Sequence, residues 1–291
     1  HQPAAWYRPA DRPCPIGEIV ILKSGKSGLS QTNLEDVSYA LNIVKFFEAP
    51  ACAVMKHVNP SGAAVRRGTE TLREVYIKAR DCDARAAFGS VVAFNVGVDA
   101  ATALEIMSTF VECVVAPDFA NDALAIFNDQ ANHKLNKHIR VLRCGDLGLL
   151  PGFVGDDEPV HRTLKVLADG SLVVAAPLLT SLRSVEELGP AVAEDAKAGE
   201  RVIATIRPTP EQAEDLLAAW YINLNVRSNG VVIMKNGQTL SVGTGEQDRV
   251  GAIEQAIAKY RQKYQGPNTL DGAAMASDGF FPFADGIEVA A

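Results

Sequence analysis

The feature that most constrains this chain is an alternation of short apolar segments with longer amphipathic ones. Short runs rich in Val, Ala and Ile predict strands, and the apolar spacing between them predicts helices. Asn33 is a candidate N-cap for a helix that begins near Leu34. Strand–helix alternation of this kind is typical of an α/β layered fold. The other elements predicted in the first half are a strand at Ala51–Met55, a turn at Asn59–Gly62, a helix near Thr71–Ala79, a strand at Val91–Phe94, a helix at Ala100–Phe110, a strand at Cys113–Ala116, a helix near Asn121–Phe127 and a strand at Ile139–Leu142.

The pattern changes where glycine and proline cluster at Gly145–Gly155, and a hairpin around Asp169 and Gly170 is predicted beyond them. A new helix is predicted where Thr209 caps a first turn that contains Pro210. Its continuation is a hairpin with a turn at Lys235–Gln238, a helix from about Gln247 to Tyr264 and a strand at Gly272–Met275. The predicted organisation is a first α/β unit at residues 1–145, a connector at 146–207 and a second α/β unit at 208–291. Whether the two units are copies of one plan stays open.

The composition of the chain bears on the class of protein to which it belongs. Of its 291 residues, 47% are apolar and 22% are charged. This balance is typical of a globular protein, and no segment approaches the roughly 18 apolar residues of a membrane span. No N-terminal export signal is present. The formal net charge is −7. Because Lys and Arg must neutralise phosphates in nucleic-acid binding, we expect no nucleic-acid partner for this acidic chain. Since no segment reaches the length of a membrane span, we also expect no membrane partner.

The cysteines are far apart, odd in number and form no C-x-x-C pair: Cys14, Cys52, Cys82, Cys113 and Cys144. This pattern predicts reduced thiols and a cytoplasmic location. The same spacing argues against a structural zinc site.

The strongest local signal is the segment Lys56–Gly62, which reads KHVNPSG directly after a predicted strand. Side chains at the end of an α/β strand face the crevice where ligands usually bind. In an extended segment Lys56 and His57 start out in opposite directions, so the turn must bend the backbone for both to reach one substrate. The alternative is a surface lysine beside a histidine that stabilises the turn, and the sequence leaves both interpretations open.

A second signal combines Arg227–Gly230 with the glycine-containing segment Gly243–Arg249. Glycines permit close approach of a ligand to the backbone, and amides at a helix start near Gln247 would favour a phosphate. Arg249, in the first helical turn, can add a bidentate contact. The alternative is a tight strand-to-helix turn without a ligand.

Two further segments are ambiguous on local evidence. Ser277–Asp285 contains three phenylalanines around a proline, which either belong to the core or line a pocket for a flat aromatic ligand. Gly89, in Ala87–Ser90, precedes a predicted buried strand and is typical of a turn.

Taken in order, these segments resemble the AICAR transformylase/IMP cyclohydrolase family of purine biosynthesis. One such motif would be weak evidence, whereas five in the family's order and with similar gaps are specific. The resemblance implies two tandem cytidine-deaminase-like, three-layer α/β/α units without zinc, since the H-x-E and P-C-x-x-C signatures of the zinc deaminases are missing. The matching motifs are K-H-x-[NS]-P-x-G at Lys56–Gly62, A-F-G at Ala87–Gly89, S-N-x-V-x-x-x-K-[ND]-G-Q at Ser228–Gln238, G-x-G-x-x-x-R at Gly243–Arg249 and A-S-D-x-F-F-P-F-x-D at Ala276–Asp285.

The resemblance also implies a reaction, in which a formyl group moves from 10-formyltetrahydrofolate to the 5-amino group of AICAR and gives FAICAR. His57 would be the general base, because the lone pair of that amine is delocalised and proton removal must accompany attack. Lys56 would stabilise the developing oxyanion and help to protonate the folate nitrogen as it leaves.

The remaining site residues are carried over because they match family positions, and Glu112 and Val250 do so outside the five motifs. The resemblance implies that the nucleotide is bound by Gly89, Glu112, Asn229 and Arg249, and that the folate pocket is lined by Val250, Phe280 and Asp285. It also implies a homodimer with shared active sites. A structural monovalent cation near the site stays an open question.

The sequence departs from the family in places. The cyclohydrolase domain, an R-Y-G-x-N-P segment that supplies an arginine and a tyrosine, and a basic–aromatic C-terminal segment all lie outside these 291 residues. Ala284 replaces the family's arginine, and Asp83–Ala86 differs from the family before A-F-G. The alternatives that stay open are a role in the cyclohydrolase step, which closes FAICAR to IMP, and a paralogue that binds nucleotide or folate without turnover.

Overall fold

One large sheet forms the centre of the fold. The computed structural model describes residues 4–26, 28–156, 161–190, 192–195, 200–279, 281 and 284–290. The strands are β1 (Val20–Lys23), β2 (Ala51–Lys56), β3 (Asn59–Val65), β4 (Ser90–Phe94), β5 (Val111–Ala116), β6 (Arg140–Arg143), β7 (Thr163–Val166), β8 (Leu172–Ala175), β9 (Val192–Asp195), β10 (Glu200–Ile203), β11 (Val231–Lys235), β12 (Gln238–Gly243) and β13 (Ala274–Ser277). The α-helices are α1 (Gln31–Val44), α2 (Leu72–Asp81), α3 (Ala84–Ala87), α4 (Ala100–Met107), α5 (Asn121–Asn128), α6 (Pro210–Asn223), α7 (Arg249–Lys263) and α8 (Asp285–Ala290), with short 3₁₀ turns at Lys134–Asn136, Leu147–Leu149 and Val185–Glu187.

Within the described residues, nine strands form the main sheet in the order β1-β6-β5-β4-β2-β3-β12-β11-β13. The pairs β4–β5 and β5–β6 are parallel, and the other pairs are antiparallel, so the sheet is mixed. The α/β class predicted from the alternation is therefore confirmed. Strands of both predicted units belong to this one sheet and meet where β3 pairs with β12. The hairpins β7–β8 and β9–β10, from the segment predicted as a connector, lie outside it.

A pattern of five elements, helix-strand-strand-helix-strand, occurs in each half of the main sheet. In the first half, α1 leads into the β2–β3 hairpin, followed by α2 and β4; in the second half, α6 leads into the β11–β12 hairpin, followed by α7 and β13. The central strand of each set, β2 or β11, pairs antiparallel with both of its neighbours. The helices α1 and α6 are both 14 residues long and both begin with a capping box. The two halves therefore share a local plan.

Helices cover both faces of the main sheet because alternate residues of each strand point to opposite sides. On β2, Ala53 and Met55 pack in a core cluster with α1 and α6, whereas Cys52 and Val54 pack with α2, α4 and α5. On β11, Ile233 packs against α7. Burial of both faces explains the nearly continuous apolar strands of the first half.

The structure corrects the predicted turn at Asn59–Gly62. These residues begin β3, where Lys56 pairs with Asn59 and Met55 with Pro60. The chain reverses earlier, at His57 and Val58, whose backbone amides donate to a side chain of α1. That tertiary contact overrides the local preference of Asn, Pro, Ser and Gly for turns.

The predicted helix caps also need correction at two positions. Helix α1 begins earlier than predicted: Ser30 is its N-cap, and Asn33 instead completes a capping box by accepting from the amide of Ser30. Helix α7 begins at Arg249 rather than near Gln247, because the carboxylate of Asp248 caps it by accepting from the amide of Gly251 at 2.7 Å. By contrast, Thr209 caps α6 as predicted, with Pro210 at its start.

Candidate active site at the end of strand β2

The Lys-His pair lies where β2 ends and reverses into β3. His57 and Val58 form a two-residue turn with φ values of 54° and 57°, the left-handed region required at both central residues of a type I′ hairpin. His57 is therefore not extended, which corrects the expectation that it and Lys56 simply alternate. The left-handed backbone supplies the bend that the sequence required, and it leaves the His57 side chain exposed.

Beside this turn is a cavity of about 440 Å³. It is lined by Ser30, Thr32, Asn33, Asp36, Lys56, His57, Phe88, Gly89, Val91, Phe110 and Glu112. The structure thus brings four predicted site residues to one place: the Lys-His pair, Gly89 and Glu112. They come from the end of β2, the residue before β4 and the second residue of β5. The cavity lies at the carboxyl end of β2 and at the amino ends of β4 and β5, because β2 runs antiparallel to β4. It therefore differs from the usual ligand site of an α/β sheet, which lies at the carboxyl ends of the parallel strands.

Gly89 leaves room for the Lys56 side chain and for the cavity. Its φ is +74°, and its amide donates to the carbonyl of Phe110 at 2.8 Å. A Cβ at this position would lie 3.3 Å from the Phe110 ring and 3.7 Å from Lys56 Nζ. Lys56 Nζ donates to the carbonyl of Phe88. The rings of Phe88 and Phe110 are 5.0 Å apart, so the ammonium group lies next to an aromatic wall.

Two carboxylates also line this cavity. Glu112 accepts from the side-chain amide of Asn33 at 3.2 Å. Asp36 is only 5% exposed, and it accepts from the amides of His57 and Val58 at 3.2 and 2.6 Å. Burial raises the pKa of Asp36, although the two amide hydrogen bonds oppose that effect. The cavity therefore combines a cationic group, an imidazole and hydrogen-bond acceptors, a mixture suited to a polar ligand with exchangeable protons.

A second cavity, of about 190 Å³, borders the same turn on its other side. Lys56 and His57 line both cavities, and here they are joined by Ser241 and Lys259 among others. Lys259 Nζ donates to the carbonyl of Val242 at 2.9 Å, and burial lowers the pKa of Lys259. Lys56 and His57 therefore border both cavities.

Asn229 and Arg249 form a separate contact. Arg249 Nη1 donates to Asn229 Oδ1 at 2.8 Å, and Asn229 donates through its backbone and side-chain amides to the carbonyl of Glu246 at 3.0 and 2.9 Å. The peptide bond between Ser228 and Asn229 is cis. The capping carboxylate of Asp248 occupies the start of α7, so the phosphate site that we predicted there faces a competing anion.

Two of the three folate-pocket candidates belong to the described residues. Val250 is the second residue of α7, and Asp285 is the exposed first residue of α8. Phe280 lies outside the described residues. Its neighbour Phe281 packs against the core cluster around α7. Among the described residues that line the two cavities beside the Lys-His turn, none belongs to this second group.

Asn59 connects the two groups. Its side-chain oxygen accepts from the hydroxyl of Thr244 at 2.6 Å and from the amide of Arg227 at 3.2 Å. Gly245 also donates to the carbonyl of Arg227 at 3.0 Å. The first residue of β3 is therefore fixed to the loops that carry Asn229 and Arg249.

Sequence reasoning missed Asp36, which joins the Lys-His turn to α1. The available signal was its place on the buried face of α1, three residues after Asn33 and four before Ala40. A carboxylate on that face is buried only with partners, so its presence predicts hydrogen bonds to other elements.

In the described part of the chain, no group of three or more His, Cys, Asp or Glu side chains is arranged to hold a metal ion. All five cysteines are free, and burial raises the pKa of Cys82 to about 12. A thiol of this kind is unreactive near neutral pH. None of the helices in the described residues has both the length and the apolar composition that crossing a membrane demands.

Comparison with known proteins shows the family to which the chain is similar. The family model described as AICARFT/IMPCHase bienzyme matches residues 1–259. The bifunctional purine biosynthesis protein PurH of Microcystis aeruginosa is 37% identical over 293 residues, which are 100% of this chain and 50% of that protein. The protein of the same name from Nostoc sp. is 36% identical over 292 residues, which are 100% of this chain and 50% of that protein. The one from Desulfitobacterium hafniense is 36% identical over 294 residues, which are 100% of this chain and 49% of that protein. The chain spans about half the length of the curated relatives it matches. With a match over most of its length, the chain belongs to the AICARFT/IMPCHase bienzyme family.

Proposed function

We propose that this chain is an AICAR formyltransferase of purine biosynthesis. It transfers the formyl group of 10-formyltetrahydrofolate to the 5-amino group of AICAR, giving FAICAR and tetrahydrofolate. The observation that carries the proposal is the convergence of Lys56, His57, Gly89 and Glu112 on one cavity at the end of β2. A family that combines a formyltransferase with a cyclohydrolase offers this chemistry as one of two activities.

The chemistry needs a base and a cationic donor in the same place. As the amine nitrogen attacks the formyl carbon, His57 accepts the amine proton. Lys56 stabilises the oxyanion of the tetrahedral intermediate, and a proton passes to the folate nitrogen as the bond to the formyl carbon breaks. The exposed side chain of His57 and the location of both residues between two cavities support these roles.

The nucleotide occupies the larger cavity in this proposal. Gly89 lets the ligand approach the backbone, and Glu112 accepts hydrogen bonds from the ribose hydroxyls. Phe88 and Phe110 offer aromatic surface to the imidazole ring. Because Phe88 is 57% exposed, a ligand that covers its ring removes apolar surface from water.

The second group of site residues acts in a homodimer with shared active sites. Asn229 and Arg249 complete the nucleotide site, and Val250, Phe280 and Asp285 line the folate pocket. They line neither of the two cavities beside the Lys-His turn, as far as these residues are described, which supports a role at the site of a partner protomer. In this view the halves at 1–145 and 208–291, joined by the connector at 146–207, are cytidine-deaminase-like units in a cytoplasmic enzyme without zinc. The repeated five-element plan supports the duplication.

The test is a direct assay. The protein is mixed with AICAR and 10-formyltetrahydrofolate, and tetrahydrofolate is followed by absorbance while FAICAR is identified by chromatography. We expect turnover that is abolished in His57→Ala. AICAR binding without turnover would instead support a non-catalytic paralogue, and IMP formed from added FAICAR would support a cyclohydrolase.

A further inference from the structure

The Lys-His turn rests on a carboxylate that the proposed chemistry does not use. Asp36 is the sixth residue of α1, and its two oxygens accept separately from the turn amides: Oδ2 from His57 at 3.2 Å and Oδ1 from Val58 at 2.6 Å. Each oxygen of Asp36 accepts from a backbone amide of the turn, although the side chain also borders the larger cavity. Asp36 lies 21 residues before His57 and 22 residues before Val58 in the sequence.

The turn has a physical need for such a partner. His57 and Val58 both have positive φ, a region that costs an L-residue about 1–2 kcal/mol. Val58 is β-branched, so it is especially unsuited to this conformation. Residues held this way persist where surrounding contacts outweigh the strain, and they cluster at functional sites.

The second half of the chain provides a natural reference. Asp215 is the sixth residue of α6 and accepts from the amides of Asn236 and Gly237 at 2.7 and 2.8 Å. Asn236 lies 21 residues after Asp215, the same separation as between Asp36 and His57. Asn-Gly is the dipeptide that forms this turn most readily without help. An equivalently placed carboxylate therefore supports, in the second half, a turn whose residues favour the conformation and, in the first half, a turn whose residues disfavour it.

We infer that Asp36 is a positioning residue for the proposed formyl transfer, holding the His57-Val58 turn so that Lys56 and His57 face the substrates together. This inference rests on the proposed function. The carboxylate acts through the backbone of the turn. Its loss therefore alters the orientation of the reacting groups more than the binding of nucleotide, which Gly89 and Glu112 provide.

The experiment substitutes Asp36→Asn in the full chain. Asparagine keeps the shape but replaces one acceptor oxygen with a donor, so one turn amide loses its partner. We expect kcat to fall by about 10- to 100-fold, as small misplacements of reacting groups do, with little change in the KM for AICAR. Adding Val58→Gly to this variant makes the turn conformation accessible without the carboxylate, and we expect it to restore part of kcat.

Asp215→Asn is the matched control, since it disturbs the equivalent turn away from the Lys-His pair. It should leave kcat unchanged while lowering the unfolding midpoint. Hydrogen exchange of the amides at residues 57 and 58 is measured in parallel and should accelerate in Asp36→Asn only.

The outcomes separate the two proposals. A wild-type chain that forms no FAICAR overturns the proposed function, and this inference with it. An active wild type overturns the inference alone if Asp36→Asn retains full kcat, if exchange at the turn is unchanged, or if Val58→Gly restores nothing. Equal loss of kcat in Asp36→Asn and Asp215→Asn would show a purely structural role.

Discussion

The two hairpin turns of this chain have the same framework and different central residues. Each turn follows a Met-Lys pair at the end of a strand, Met55-Lys56 or Met234-Lys235, and each has two residues with positive φ. In each, a buried aspartate of the preceding 14-residue helix accepts from both turn amides. The central residues are His57-Val58 in the first turn and Asn236-Gly237 in the second.

The second turn follows the local preferences of its residues, whereas the first turn does not. Asn236-Gly237 suits a type I′ turn, and Lys235 donates to the carbonyl of Asp271, so the second turn is used for packing. The first turn uses residues that resist the conformation, and its lysine and histidine border cavities. Local conflict that tertiary contacts overcome is expected at functional sites. This comparison, made within one chain, supports a catalytic role for the first turn independently of the family.

The largest expected effect comes from exchanging the central residues that differ. His57→Asn gives the first turn the Lys-Asn sequence of the second, and it should lower the rate of formyl transfer by about 10²- to 10⁴-fold, the usual contribution of a general base. The fold should survive, because asparagine tolerates positive φ better than most residues. Steady-state kinetics and circular dichroism measure the two effects.

Asn236→His is the reciprocal substitution, and it should leave kcat near the wild-type value. If Asn236→His slowed formyl transfer as much as His57→Asn does, the functional distinction between the turns would be wrong.

The same turns show how much of the fold the sequence could predict. The turn at Lys235–Gln238 was predicted correctly because the Asn-Gly dipeptide determines it locally. For the first turn, the sequence pattern predicts a reversal at Asn59–Gly62, which is wrong, because no local signal in His57-Val58 indicates positive φ. Pro60 and Gly62 are turn formers by preference, yet both lie in β3, and a Cβ on Gly62 would approach the carbonyl of Ala79 to 2.0 Å. That glycine is required for packing against α2.

The candidate site was predictable to a similar degree. The motifs identified the Lys-His pair, Gly89 and Glu112, and the structure places them around one cavity. Asp36 was not identified, because an aspartate in an amphipathic helix is usually solvated and only the tertiary structure shows what it accepts from. Asn59 was seen as a turn residue, although it joins the first turn to Thr244. Contacts between elements remote in sequence have no local signature.

A smaller expected effect concerns stability. Gly237→Val gives the second turn the valine of the first, and it should lower the free energy of unfolding by about 2 kcal/mol or more. The residue has a φ of +71°, and a Cβ there would lie 2.4 Å from the carbonyl oxygen of Val65. Urea unfolding measures the change. The opposite substitution, Val58→Gly, should stabilise or leave stability unchanged; a large loss in Val58→Gly would mean that the first turn is not strained.

The weakest of these effects is a pH dependence of the stability that Asp36 contributes. Asp36 accepts from two backbone amides, and burial raises the pKa of Asp36 above the ordinary value of 3.8. Because its pKa is raised, the carboxyl of Asp36 binds a proton more tightly in the folded state than in the unfolded state. Protonation of Asp36 therefore stabilises the fold. This contribution is fully present below pH 3.8 and is lost as pH rises through the raised pKa. Asp36→Asn removes this titration. The free energy of unfolding of the wild type minus that of Asp36→Asn should therefore increase as pH falls from 7 towards 4, measured by urea unfolding at each pH. A difference that is constant over this range would show that the pKa of Asp36 is the same in the folded and unfolded states. A difference that shrinks on acidification would show that the two amide hydrogen bonds outweigh burial and lower that pKa.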